Sequence, residues 1–221
     1  MRRAAVARLL VVAFAVATAA DLLSLLAGAD LGHQIAKPLL MPLLAAYAAV
    51  RGGPALLVVA LLFGWGGDVF LLFDAEAAFM AGMGSFAAGH VCYLLLFRRT
   101  RTSPYLGAGY AVVLVAAVAL LWPDLPAELR VPVAGYSLLL TVMALRASGL
   151  GLYAGLGGAL FLLSDTLIAT GVAEWPQLPA PDFWIMLTYA AAQCLLTTGV
   201  LARQEAARPS PRPAAGDAVR T

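Results

Sequence analysis

Apolar positions in this chain do not mark one face of a helix or alternate along a strand; they run. Stretches near the roughly 20 residues that an α-helix needs to cross hydrocarbon follow one another with short polar breaks. The pattern predicts eight spans, at 5–27, 35–50, 54–73, 77–97, 105–122, 131–148, 151–172 and 183–202. The expected fold is therefore all-α, a polytopic membrane protein with a single eight-helix transmembrane domain over 1–202. The remainder, 203–221, is rich in Pro, Ala and charge and reads as a disordered polar tail.

Composition moves the chain further from soluble proteins: 62% of its residues are hydrophobic, 12% are charged, and the mean hydropathy is +0.90. The charges test the eight-span count, because basic residues collect in alternate, cytoplasmic loops. Of the 14 basic residues, all but Lys37 and Arg130 fall before or at the start of span one, or at the ends of or after spans two, four, six and eight. The opposite loops carry Asp30, Asp74, Glu76, Asp124, Glu128, Glu174 and Asp182. That alternation puts both termini in the cytoplasm, and the net charge of +2 reports topology, not nucleic-acid binding. The start, "MRRAAVARLLVVAFAVATAAD", also has the form of a secretory signal. Its apolar stretch continues through "LLSLLAGA", longer than most signals, so it reads as the first span. The Ala-, Gly-, Arg- and Leu-heavy composition points to a GC-rich bacterial gene, and hence to the cytoplasmic membrane.

Ionisable residues inside hydrocarbon are costly and are functional candidates by default. Here they are Asp21, Lys37, Asp68, His90 and Asp165. In the expected topology Asp21, Asp68 and Asp165 each lie about six residues, or about 9 Å, below the outer end of their spans. Lys37 begins span two at the same side, so three carboxylates and an ammonium share one layer, whereas His90 lies deeper. Small residues flank two of the acids: "GWGGD" clears bulk before Asp68, Gly64 lying on the same helix face four residues back, and Ser164 adjoins Asp165. "GDVFLL" and "SDTLIA" resemble each other at half the length of the membrane portion, as two parallel four-helix repeats would. Two carboxyls facing one cavity can divide the work of acid and base catalysis.

Other chemistries fit less well. Two histidines cannot make a three-histidine zinc site, and neither HExxH, GxSxG nor a phosphate-cradling loop occurs. No cofactor is expected. Cys92 and Cys194 read as small apolar residues of helix interiors, and the glycine clusters "GMGS", "GAGY" and "GLGG" as sites of close helix packing. An alternative from a different class is a proton-coupled transporter of a small apolar or lipid-like molecule, with the paired aspartates loading and releasing protons.

"KPLLMPLL" at 37–44, "GDVFLLF" at 67–73, "GHVCYLLLF" at 89–97, "LFLLSDTLIA" at 160–169 and "YAAAQ" at 189–193 occur in that order in spans two, three, four, seven and eight. This ordered set resembles the YhhN-like lysoplasmalogenase family over nearly the whole chain outside the tail. The resemblance implies an eight-helix integral membrane hydrolase that acts without a metal. Its substrate would be a lysophospholipid drawn from membrane lipid, whose vinyl ether bond is cleaved to a fatty aldehyde and a glycerophospho-alcohol. It implies Asp68 and Asp165 as the catalytic pair, with Lys37, His90, Tyr93, Ser164, Tyr189 and Gln193 binding substrate or supporting the site. Asp21 lies outside the matching motifs. The acid and the base within the pair, the head group and the oligomeric state are left open by the sequence.

Overall fold

The computed structural model describes residues 2–207, and among them every regular element is a helix: α1 (Arg2–Ala27), α2 (Asp30–Val50), α3 (Ala55–Phe70), α4 (Glu76–Phe97), α5 (Pro104–Leu121), α6 (Ala127–Ser148), α7 (Leu152–Val172) and α8 (Pro181–Ala206). Six of these, α1 and α4 to α8, are long and apolar enough to cross a membrane. The breaks between helices carry the expected punctuation. Gly28 and Gly52 close α1 and α2 with positive φ, where an L side chain would be strained. Pro54 and Pro126 sit at the N-caps of α3 and α6, and Pro104 and Pro181 open α5 and α8.

Helix boundaries depart from those the apolar pattern predicts, chiefly where polar residues are helical. Helix α2 begins at Asp30, not at 35, because Asp30 suits a helix N-terminus and His33 finds a partner in Asp21. Lys37 therefore sits in the second turn of α2. Helix α3 stops at Phe70, short of the expected 73, after the weak helix formers Gly66 and Gly67. That puts Asp68 in its last turn. Helix α8 continues past 202 to Ala206, so the polar tail does not begin at 203; its remainder from 208 lies outside the described residues.

Within each half of the chain consecutive helices pack against each other, and between the halves α4 rests on α6 while α8 touches α1, α2 and α3. Helix α8 is the centre of the bundle, burying Met186, Tyr189, Gln193, Leu196 and Val200 among others. Helix α5 is peripheral and buries only Leu121. Close approach at the centre depends on glycine. A Cβ on Gly157 would lie 2.8 Å from the backbone of Leu196 on α8, and one on Gly158 would lie 2.8 Å from the backbone of Ala144 on α6. The "GLGG" cluster thus serves packing, whereas Gly109 of "GAGY" faces open space. At one end of the bundle Arg51 hydrogen-bonds Glu205, tying the end of α2 to α8.

Candidate active site

Asp68 ends α3 in a position that is only 2% exposed. A carboxylate cannot be buried in an apolar bundle without partners, and Tyr189 of α8 supplies one, its hydroxyl donating to Asp68 Oδ2 at 2.9 Å. Glycine makes this contact possible. A Cβ on Gly64 would stand 3.1 Å from both the Tyr189 hydroxyl and the Gln193 amide nitrogen, so the room left on the face of Asp68 is taken by α8. Gln193 is fixed in turn by Tyr93 of α4, whose hydroxyl donates to its Oε1 at 2.7 Å.

Asp165, half-buried on α7, is held in the same manner from the other side. The Tyr136 hydroxyl of α6 donates to Asp165 Oδ2, and Tyr136 also lies 3.0 Å from His90 Nε2. A hydroxyl has one proton to give. With it directed to Asp165, the Nε2–H of His90 must be the donor to the Tyr136 oxygen, and His90 Nδ1 is left buried without a partner. His90, expected to lie apart from the acids, is thus joined to Asp165 through one residue. Phe161 packs edge-on against both the His90 ring and the Tyr189 ring, at centroid distances of 4.7 and 5.5 Å, and links the two halves.

Both acids line one cavity of about 380 Å³, together with Lys37, Ser164, Tyr189 and the ring of Phe86. Lys37 makes no ion pair among the described residues. Ser164 turns its hydroxyl to the Ile185 carbonyl of α8 at 3.1 Å, joining α7 to α8 beside Asp165. Of the residues expected at the site, Lys37, Asp68, Ser164, Asp165 and Tyr189 meet in this cavity. Tyr93, Gln193 and His90 stand behind it as supports.

Asp21 does not join them. It is fully buried and pairs with His33 Nδ1 at 2.8 Å, binding α1 to α2, with its Oδ2 unpartnered. Of the three carboxylates read from helix depth as one layer, two line the cavity, while Asp21, near enough for its charge to act on Asp68, lies outside that lining and pairs with His33. Tyr136 was missed by sequence reading. Its signal was a tyrosine placed well inside an apolar span instead of at the interface, where its hydroxyl must find a partner. Among the described residues no group of three or more His, Cys, Asp or Glu converges as a metal-binding cluster.

The model of the YhhN family matches residues 32–200, a stretch that contains every residue of the cavity and its supports and excludes Asp21. The chain belongs to the YhhN family. Curated relatives of this YhhN-family chain include lysoplasmalogenase TMEM86B of Sus scrofa, 37% identical over 165 residues, which are 73% of this chain and 70% of the relative. The Homo sapiens lysoplasmalogenase TMEM86B is 35% identical over 139 residues, covering 61% of this chain and 58% of its own length. The lysoplasmalogenase of Mycobacterium tuberculosis (strain CDC 1551 / Oshkosh) is 34% identical over 157 residues, covering 65% and 59%. The aligned part thus spans under two-thirds of the human and mycobacterial relatives. No solved structure matches the chain.

Proposed function

We propose that this multi-pass membrane protein hydrolyses the vinyl ether bond of lysoplasmalogen, releasing a fatty aldehyde and a glycerophospho-alcohol, with Asp68 and Asp165 as its acid–base pair. The observation that carries this reading is the joint lining of one cavity by Asp68, Asp165 and an ion-pair-free Lys37, each acid gripped at one oxygen by a tyrosine. Relatives named lysoplasmalogenase from mammals and mycobacteria supply the reaction class.

Hydrolysis of a vinyl ether begins with proton transfer to the β-carbon. The resulting oxocarbenium ion is captured by water, and the hemiacetal collapses to aldehyde and alcohol. One protonated and one ionised carboxyl suit that sequence, as in glycosidases, which pass through a similar cation. Tyrosine hydroxyls that fix one oxygen of each acid leave the other oxygen to face the substrate. Lys37 suits the lysolipid phosphate as a compact cation on a flexible stem. The topology that goes with this reading has eight spans and both termini in the cytoplasm of a bacterial cell, adding α2 and α3, the latter apolar but only 16 residues long, to the six long apolar helices. Charge alternation between loops supports it.

The test is aldehyde release from ethanolamine and choline lysoplasmalogens by the purified protein in detergent with a chelator present. Wild type should be active, and Asp68→Asn and Asp165→Asn, both still folded, should be inactive. A wild type without activity on either head group would refute the hydrolase reading, and transport by sealed vesicles in response to a pH gradient would then replace it.

A further inference from the structure

The cavity of the two acids sets Lys37 and both carboxyls beside an apolar wall that includes Leu71, Phe79, Phe86, Ile168 and Met186. A second space, a cleft between α4, α5, α6 and α7, adjoins it. It offers about 80 Å³ of free volume against about 380 Å³ in the polar cavity, so it is a slot, not a chamber. Met83, Leu114, Val118, Val133, Leu140 and Leu162 form its walls, and along α7 it runs from Leu162 to Val172, about 15 Å at the helical rise. At the end toward Val172 it is lined by Leu121, Trp122, Leu125 and Arg130, against the apolar cluster that also holds Leu129 and Ala173. Toward lipid its wall is α5, which buries only Leu121. Its lining is mainly apolar, with Arg130, Tyr136, Ser137, Thr141, Asp165 and Thr166 among it, and a mainly apolar surface favours contact with hydrocarbon over water.

The slot and the polar cavity share a wall. Among the described residues Asp165 is the one ionisable side chain that lines both.

We propose that the α4–α7 slot holds the single aliphatic chain of the lysolipid, while its glycerophosphate occupies the polar cavity beside Lys37. This rests on the hydrolase reading and deepens it. In a vinyl ether lipid the reacting double bond is where the chain joins the glycerol oxygen, so the catalytic acid must stand where polar cavity and apolar slot meet. Asp165 stands there. The β-carbon is the one that bears the alkyl tail, so Asp165 is the donor to it, using the oxygen that Tyr136 does not hold. As the C–H bond forms, the C=C pair is consumed and the cation develops on the α-carbon. Water adds its oxygen there and gives a proton to Asp68. In the collapse, the hemiacetal hydroxyl returns its proton to Asp165, the bond to the glycerol oxygen breaks, and Asp68 protonates that oxygen. One water is consumed and both carboxyls are restored. A lipid with a second long chain has no second slot to use.

The probe is a saturated 1-alkyl lysophospholipid, which cannot be cleaved, carrying a photoactivatable diazirine in its chain. It is illuminated with the full-length protein in detergent micelles and the labelled peptides are mapped. Label on residues 113–141, removed by excess unlabelled alkyl lysophospholipid but not by a diacyl phospholipid of the same head group, is expected. Label there that the competitor does not remove, or competed label on α1 and α2 instead, overturns the slot. Crowding the slot with Ala117→Phe or Ala134→Phe should raise the short-chain to long-chain ratio of kcat/KM by about tenfold or more, in protein whose Tm shows it folded; an unchanged ratio counts against the slot. Because the probe is not hydrolysed, the labelling result stands whether or not aldehyde is ever released. Aldehyde release with label elsewhere would reject the slot alone.

Discussion

Removing one oxygen tests the candidate site most sharply: Tyr136→Phe keeps the ring and its packing and deletes the hydroxyl between His90 and Asp165. A hydrogen bond to a charged group is worth about 1.5–3 kcal/mol, and here the loss falls on both partners. Asp165 loses the donor that orients Oδ2, and His90, 1% exposed with Nδ1 already unpartnered, loses its remaining bond. If Tyr136 holds Asp165 in the geometry from which it acts, a loss of about 2–3 kcal/mol in the transition state lowers kcat by about 30- to 150-fold. KM should change little, since the variant keeps the ring that lines the slot and Tyr136 is not part of the cavity lining that holds Lys37. The assay is continuous aldehyde release coupled to a dehydrogenase, with thermal unfolding recorded in parallel to confirm that the variant is folded. A Tyr136→Phe enzyme with kcat within about twofold of wild type, alongside an inactive Asp165→Asn, would refute the reasoning: the contact would then be structural, and the positioning of Asp165 would have to come from elsewhere.

Three further outcomes follow from the same geometry. Lys37→Gln should raise KM for the lysolipid by about tenfold or more, the loss of one charge-assisted bond to phosphate, with a smaller effect on kcat; an unchanged KM would remove Lys37 from head-group binding. Asp21→Asn should lower Tm by weakening the α1–α2 pair with His33 while folded enzyme keeps its kcat; an inactive but folded variant would bring Asp21 into the mechanism. Gly67→Ala would set a methyl 2.4 Å from the Phe86 ring, overpacking that costs about 1–3 kcal/mol, and should lower Tm while displacing Phe86 into the two cavities it lines; an unchanged Tm would mean that α3 and α4 are less tightly packed than this.

Helices were legible because a run of apolar residues has one solution in hydrocarbon, where each backbone group must bond within its own segment. The limits of α2 were less so. "DLGHQ" is polar for a reason that lies on another helix, since His33 meets Asp21 of α1, and no local pattern announces a partner that distant. Asp68 and Asp165 could be picked out because a carboxyl in an apolar run is costly on its own terms, and that argument needs no knowledge of its neighbours. Asp21 met the same criterion and yet lies in a different pair. Depth along a helix is readable from position, but the direction in which a side chain faces depends on how helices are turned against one another, which length and polarity do not specify.

Tyr136 shows the converse. A tyrosine hydroxyl is cheap enough to bury once bonded, so a phenol inside a span is a weak signal, one that residue 136 shares with Tyr93, Tyr110 and Tyr189. Only the packing of α6 against α4 and α7 turns it into the link between His90 and Asp165. The two acids are thus kept by different means on the two sides of the bundle, Asp68 by Tyr189 with Gln193 and Tyr93 behind it, Asp165 by Tyr136 with His90 behind it. A site made of two like carboxyls needs some such asymmetry if, as proposed, one is to give a proton while the other receives one. Amide and phenol stand behind one acid and an imidazole stands behind the other, while Lys37 lines the same cavity and, of the two acids, only Asp165 lines the apolar slot. Exchanging the supports is therefore not neutral: Gln193→His should disturb the Asp68 half and leave the Asp165–Tyr136–His90 chain intact, so the variant should lose kcat without losing the competed photolabel on 113–141. Loss of both together would mean that the two halves are not separable.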